Sequence, residues 1–274
     1  MSATAVVTIV HGRRDHLALQ GRSLARQTDP AAHVVVAMDD PDLEVPGAHV
    51  VHVPRLPLGL PLAAARNAGA AAALAEGADV LVFLDVDCLA DPALLAAYGD
   101  DVRQQPGTVW SGPVTYLDRP PPGGYDLDGL AALDAPHPAR PAPQPGELLH
   151  DADPDLFWSL SFACHADAWL ASGGFCEDYV GYGGEDTDFG RTLVARGLRL
   201  GWTGSARAYH QWHPVSSPPV EHVDDIVRNA ALFHRRWGEW PMGGWLDQLE
   251  QQGLVVRRDG AWAVAAEVLS GRTP

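Results

Sequence analysis

The chain has no lysine: all nineteen of its basic residues are arginine. That absence excludes Schiff-base chemistry and a Walker A loop, both of which need a lysine amine. Cysteine is scarce as well. Cys88, Cys164 and Cys176 are odd in number and contain no CxxC pair, so neither a disulfide framework nor a zinc knuckle is expected. No apolar run approaches the roughly 20 residues that a membrane helix needs. The first ten residues also lack a basic stretch ahead of an apolar one, so the sequence predicts no integral membrane segment and a cytoplasmic location. Positive charge is in deficit. A formal net charge of -16 gives a polyanion no reason to approach, and no local basic stripe relieves it, which argues against nucleic acid as a partner. A bound metal ion can reverse such a field locally, so small anionic ligands remain compatible with it.

What is present is an ordinary globular composition, 46% hydrophobic and 20% charged over 274 residues, long enough for one large α/β domain or two small ones. The N-terminal third alternates β-branched runs with alanine-rich helical stretches. The pattern predicts strands over 6–10, 33–38, 49–53 and 79–84, and helices over 15–27 and 60–76, with another helix starting at Asp91. Such alternation builds a mostly parallel sheet flanked by helices. Over 113–154 the composition turns to proline, glycine and aspartate, which reads as a long loop, either a mobile surface insertion or a lid over an acceptor. A strand-like run over 157–163, a short helix over 166–171 and a last helix over 222–237 follow.

Three constellations carry chemistry. Asp85-Val86-Asp87 follows the apolar run Val80-Leu81-Val82-Phe83-Leu84 directly. Ligands of open α/β sheets bind at the carboxyl ends of strands, and alternating acids there can hold one hard cation that neutralises a diphosphate. The plainer alternative is a pair of solvated acids ending a strand. The second constellation is Gly181-Tyr182-Gly183-Gly184-Glu185-Asp186-Thr187-Asp188, with Phe189, Leu193 and Val194 at helical spacing behind it. A helix cap would explain the acids but not the glycines, which let a backbone pass close to a ligand. A catalytic base needs a carboxylate on a rigid element beside such a bare floor. The third is Tyr209-His210-Gln211-Trp212-His213-Pro214, where either histidine could turn toward a manganese-type ion.

In this order and at this separation, these segments resemble family 2 glycosyltransferases of the GT-A fold, and the C-terminal part is similar to the galactosyltransferase-type domain. The His11-Gly12-Arg13-Arg14-Asp15 turn and Ala64-Ala65-Arg66-Asn67-Ala68-Gly69 share the resemblance, which covers about residues 4–214. It implies an α/β GT-A domain over 1–214, with a nucleotide-binding half over about 1–112 and an acceptor half over about 155–214, followed by a helical cap over 215–274. The implied activity is metal-dependent, inverting transfer of a hexosyl group from a nucleotide-sugar, expected to be a UDP-sugar, to a hydroxyl on a glycan, lipid or small molecule.

The resemblance also implies roles. Mn2+ or Mg2+ would sit on Asp87, with Asp85 on the ribose or the metal, and with His210 or His213 as a further ligand. Asp186 becomes the base and Glu185 the neighbouring candidate. Arg66 would face the diphosphate, Asn67 the base or ribose, and Arg13, Gly183 and Gly184 complete the donor-binding set. Asp39 or Asp40 would touch the nucleotide, and because the strand ends Ala37-Met38-Asp39-Asp40-Pro41-Asp42 instead of leading into Asp-Asp-Gly-Ser, both stay open. Trp158, Tyr182 and Trp212 are candidate sugar platforms or simple packing residues. Two other function classes compete: a nucleotidyltransferase on a related sheet, and a non-catalytic nucleotide- or carbohydrate-binding protein.

Overall fold

In the computed structural model, which describes residues 3–265, the β-branched runs form the centre of the molecule. The nucleotide-side strands are β1 (Thr4–Val10), β2 (Ala32–Met38), β3 (His49–Val53) and β4 (Val80–Leu84), joined by α1 (Arg14–Leu24) and α2 (Leu62–Ala75). They lie in the order β3-β2-β1-β4 and all pair in parallel. Further along come β5 (Cys88–Ala90), α3 (Leu94–Gln104), β6 (Thr108–Ser111), β7 (Val114–Tyr116), β8 (Leu148–Leu149), β9 (Ser161–His165), α4 (Ala166–Ser172), α5 (Glu185–Ala195), β10 (Arg199–Thr203) and β11 (Ala208–His210). The large sheet continues β4-β9-β6-β10-β8, with β9 antiparallel to both neighbours and β10 parallel to β6. A second sheet, β5-β11-β7, has only three strands.

The period-2 alternation of the strands sorts their side chains into two cores. Ala5, Val7, Leu81 and Phe83 pack with α2, α4 and α5 on one face, and Val6, Val80 and Val82 pack with α3 on the other. Burial on both faces is why β4 reads as a continuous apolar run. The alanine-rich α2 lies close to the sheet: a Cβ on Gly69 would stand 2.4 Å from Val7 and 2.8 Å from Val36. Large residues on this helix face would force it away.

The C-terminal region contains α6 (Val223–Trp237), α7 (Gly243–Gln251) and an antiparallel hairpin, β12 (Val255–Arg258) with β13 (Ala261–Val264), so the expected cap is not purely helical. Residues 266–274 of that expected cap lie outside the described residues. The strand expected over 157–163 starts later, at Ser161, because Pro154–Leu156 forms a 3-10 turn capped by the Asp153 carboxylate. The proline-rich span is irregular over most of its length. It nevertheless contributes β7 to the small sheet and β8 to the edge of the large one, and a Thr115–Pro136 bridge ties its middle down. No helix among the described residues is long and apolar enough to cross a membrane.

Candidate active site

The register of the small sheet assembles the first half of the site. His210 stands opposite Cys88 on one side and Tyr116 on the other, and the Gln211 N–H donates to the Asp87 carbonyl at 2.6 Å. Asp87, His210 and His213 consequently offer ligand atoms within 4.8 Å of one another. His210 Nε2 is 3.5 Å and His213 Nε2 3.4 Å from Asp87 Oδ2. His213 Nδ1 lies 3.1 Å from the Pro214 carbonyl. A ring proton there would free the Nε2 lone pair for a cation in place of the contact with Asp87. His210 is fixed by stacking on Tyr116, with 4.4 Å between ring centroids.

Burial alone would raise the Asp87 pKa. Hydrogen bonds to the two histidines and the charges of His210 and Arg13 outweigh it and hold the carboxyl well below the usual range. The Arg13 guanidinium touches the same Oδ2, from a residue held in the left-handed region at φ 40°. One carboxylate and two imidazoles form a donor set that fits a divalent cation of the manganese class.

Asp85 turns elsewhere. A tight turn closed by the Cys88 N–H on the Asp85 carbonyl parts the two acids, and Asp85 Oδ1 accepts from Arg66 Nη2 at 3.0 Å instead of joining the three-residue cluster. Arg66 shares the packed face of α2 with Gly69, Ala70 and Ala73 and is 4% exposed. Its second arm reaches Glu185 Oε1 at 3.5 Å, so one buried cation bridges two of the constellations.

The glycine floor forms the second half. Gly183 and Gly184 have φ of 94° and 89°, a conformation that L side chains rarely adopt, and α5 begins immediately afterwards. α6 holds this floor from outside: Asp225 accepts the Tyr182 N–H at 3.2 Å, and Asn229 donates to the Val180 and Tyr182 carbonyls at 3.2 Å each. Glu185 is 6% exposed and its Oε2 has no partner. Burial, then the neighbouring Asp186, push its pKa up to about 7. Asp186 is half-buried and accepts the Thr187 N–H at 2.8 Å, and burial raises its pKa too. Asp188 is 1% exposed and accepts from Arg236 Nε at 2.6 Å, Trp237 Nε1 at 2.7 Å and the Tyr179 hydroxyl at 3.2 Å, which latches α6 onto α5.

The remaining expected residues divide. Both carboxylate oxygens of Asp40 accept from Arg14 Nη2, at 2.7 and 2.9 Å, while Asp39 sits at φ 52° with Arg55 4.0 Å away. Asn67 is drawn off the site: its amide donates to the Phe175 carbonyl and to Glu177 and accepts the Phe175 N–H, pinning the loop before the floor. Tyr182 stacks on His222 and Trp245 at 4.7 and 5.9 Å, Trp212 lies under Arg119, and Trp158 packs between His137 and Arg140. Sequence reasoning missed Tyr116, Arg140, His222 and Trp245. None carries a local signal, because each is placed by contacts distant along the chain.

No protein-family model matches the chain. In sequence it is 30% identical over 245 residues to validoxylamine A glucosyltransferase of Streptomyces hygroscopicus subsp. limoneus, a match covering 78% of this chain and 52% of that protein. The chain therefore spans about half the length of the curated relative it matches. Among solved structures it is similar to GalNAc-T7 with UDP, GalNAc and Mn2+, at a TM-score of 0.58 and 14% identity over 92% of this chain and 57% of that one. It is also similar to S. aureus TarS in complex with UDP, at a TM-score of 0.54 and 14% identity over 84% of this chain and 64% of that one. The sheet order and these likenesses together establish that the chain has the GT-A glycosyltransferase fold.

Proposed function

We propose that the protein is an inverting, metal-dependent glycosyltransferase of the family 2 kind, which moves a sugar from a UDP-sugar to an acceptor hydroxyl. The observation that carries this reading is the convergence of Asp87, His210 and His213 at the carboxyl end of β4, coupled through Arg66 and Asp85 to the acids of α5. The likeness to a glucosyltransferase in sequence and to UDP-bound enzymes in structure supports it. A nucleotidyltransferase would have no use for a glycine floor under two acids.

Asp87, His210 and His213 would hold Mn2+ or Mg2+, whose charge would favour departure of the nucleoside diphosphate. Asp186 takes the proton from the acceptor hydroxyl as that oxygen bonds the anomeric carbon. The bond from that carbon to the diphosphate oxygen breaks, and its electron pair leaves with the nucleotide. Asp186 suits this task better than Glu185. It is the more accessible of the two, whereas Glu185 is committed to Arg66. Arg66 keeps Asp85 and Glu185 from repelling one another, and Arg13 offers a cation at the nucleotide end. The acceptor side is built by the floor, Tyr182 and the residues of α6 that hold them.

The test is release of UDP from a panel of UDP-sugars with Mn2+, with and without candidate acceptors. Acceptor-dependent release abolished by a chelator is the expected result. Stoichiometric UDP-sugar binding with no turnover on any acceptor would favour the non-catalytic alternative.

A further inference from the structure

Arg140 is a buried cation without a partner. It is 7% exposed, and its Nε, Nη1 and Nη2 are all without a hydrogen-bond acceptor. The guanidinium lies against two indoles, 4.6 Å from the ring centre of Trp202 and 5.3 Å from that of Trp158. Trp202 Nε1 and Ser111 Oγ are likewise buried and unpartnered. The β6–β10 register sets Ser111 beside Trp202, so both project from one face of the sheet. Each of these groups can donate. The Asp186 carboxylate acts on the cation through its charge, with no hydrogen bond between them.

A charge stranded in this way is costly, and an oxyanion is the partner that a planar fork of N–H donors fits best. Its position connects it to the site. A row of rings runs from His210 to Tyr116, His137 and Trp158 at successive centroid distances of 4.4, 5.0 and 5.3 Å, and ends under Arg140. His137 and Trp158, the last two rings of that row, are half-buried.

We propose that Arg140, assisted by Trp202 Nε1 and Ser111 Oγ, recognises a carboxylate or phosphate that one of the two substrates carries in addition to the donor diphosphate. The proposal rests on the glycosyltransferase reading and deepens it by fixing substrate charge. Two sources supply the same chemistry, a uronic acid as the transferred sugar or an acidic acceptor.

The experiment uses the full chain with Mn2+ and measures equilibrium binding in two arms. The donor arm compares UDP-glucuronate with UDP-glucose. The acceptor arm, with UDP present, compares glucuronate and glucose 6-phosphate with glucose. The variants are Arg140→Met, which keeps length and stacking without charge, and Arg140→Lys, which keeps charge without the fork. We expect an acidic probe in one arm to bind at least about tenfold tighter than its neutral twin, a difference of about 1.4 kcal/mol. That preference disappears in Arg140→Met and is partly kept in Arg140→Lys. UDP affinity stays unchanged, and the Tm of Arg140→Met without probe equals or exceeds that of the wild type. Absence of charge preference in both arms of the wild type overturns the proposal, as does a preference that survives in Arg140→Met. A wild type that binds no UDP removes the glycosyltransferase reading and this proposal with it, whereas UDP binding without charge preference removes this proposal alone.

Discussion

Glu185→Gln separates a structural acid from a catalytic one. In the folded chain the Glu185 carboxyl is pushed up to about 7 from an ordinary value of 4.5, by burial first and by Asp186 second. A folded-state pKa above the unfolded one means that stability is fully present below the unfolded value and is lost as pH rises through the folded value. At 1.36 kcal/mol per pH unit, that interval corresponds to about 3 kcal/mol of destabilisation, most of it between pH 5 and pH 8. Glutamine has no charge to strand, its carbonyl still accepts from Arg66, and Arg66 keeps Asp85 at 3.0 Å. Urea unfolding of wild type and variant at both pH values isolates this acid together with its coupling to Asp186, because the titrating groups that do not interact with it cancel in the difference. The variant should gain about 2 kcal/mol relative to the wild type on going from pH 5 to pH 8. Parallel stability profiles would refute the reasoning.

Asp186→Asn should lose about 10²- to 10⁴-fold in turnover while UDP-sugar affinity and Tm stay near wild type, since a base acts mainly in the transition state; steady-state kinetics beside donor titration checks this, and an active variant removes Asp186 as the base. His210→Ala and His213→Ala should both weaken Mn2+ binding in calorimetry, the former more, because His210 is fixed by Tyr116 and is the more buried ligand. An equal or reversed order would show that the stack adds nothing. Asp188→Ala should cost about 1–3 kcal/mol, because it leaves the Tyr179 and Trp237 donors without their buried acceptor while the exposed Arg236 turns to water; a loss below about 0.5 kcal/mol in urea unfolding would show that the α5–α6 latch is dispensable.

The sheet was legible in the sequence because its strands are buried on both faces, which leaves continuous β-branched runs between alanine-rich helices. The cluster of Asp87 and the two histidines was legible for a related reason: Asp85-Val86-Asp87 follows such a run, and the histidine segment leaves a short strand. The sequence left open which histidine turns inward; the β11 register brings His210 to Asp87, and the segment after the strand brings His213 there too. What local pattern could not reveal is division of labour. Asp85 and Asp87 look equivalent, yet a tight turn sends one to Arg66 and the other to the histidines. Glu185 and Asp186 look interchangeable, yet only the first is tied to an arginine 119 positions away. Asn67 appeared in a donor-binding segment and instead anchors the loop at Phe175. Such assignments depend on side-chain direction after folding, which neither periodicity nor composition encodes.

The absence of lysine acquires a physical meaning once the site is seen. Asp85, Asp87, Glu185 and Asp186 gather in a chain of net charge -16, and acids so close raise one another's pKa unless a permanent cation separates them. An ammonium buried as deeply as Arg66 could shed its proton and leave the acids unbalanced, whereas a guanidinium stays charged and offers two arms at a fixed angle. Arg66 uses both arms, on Asp85 and on Glu185. The separation that follows is the one a two-role acid site requires. Asp87, among histidines and Arg13, is held ionised, as the proposed cation site needs, while Glu185 is driven toward its neutral form. That leaves Asp186, half-buried and without a hydrogen bond from an arginine side chain, as the acid best suited to the base of the proposed transfer.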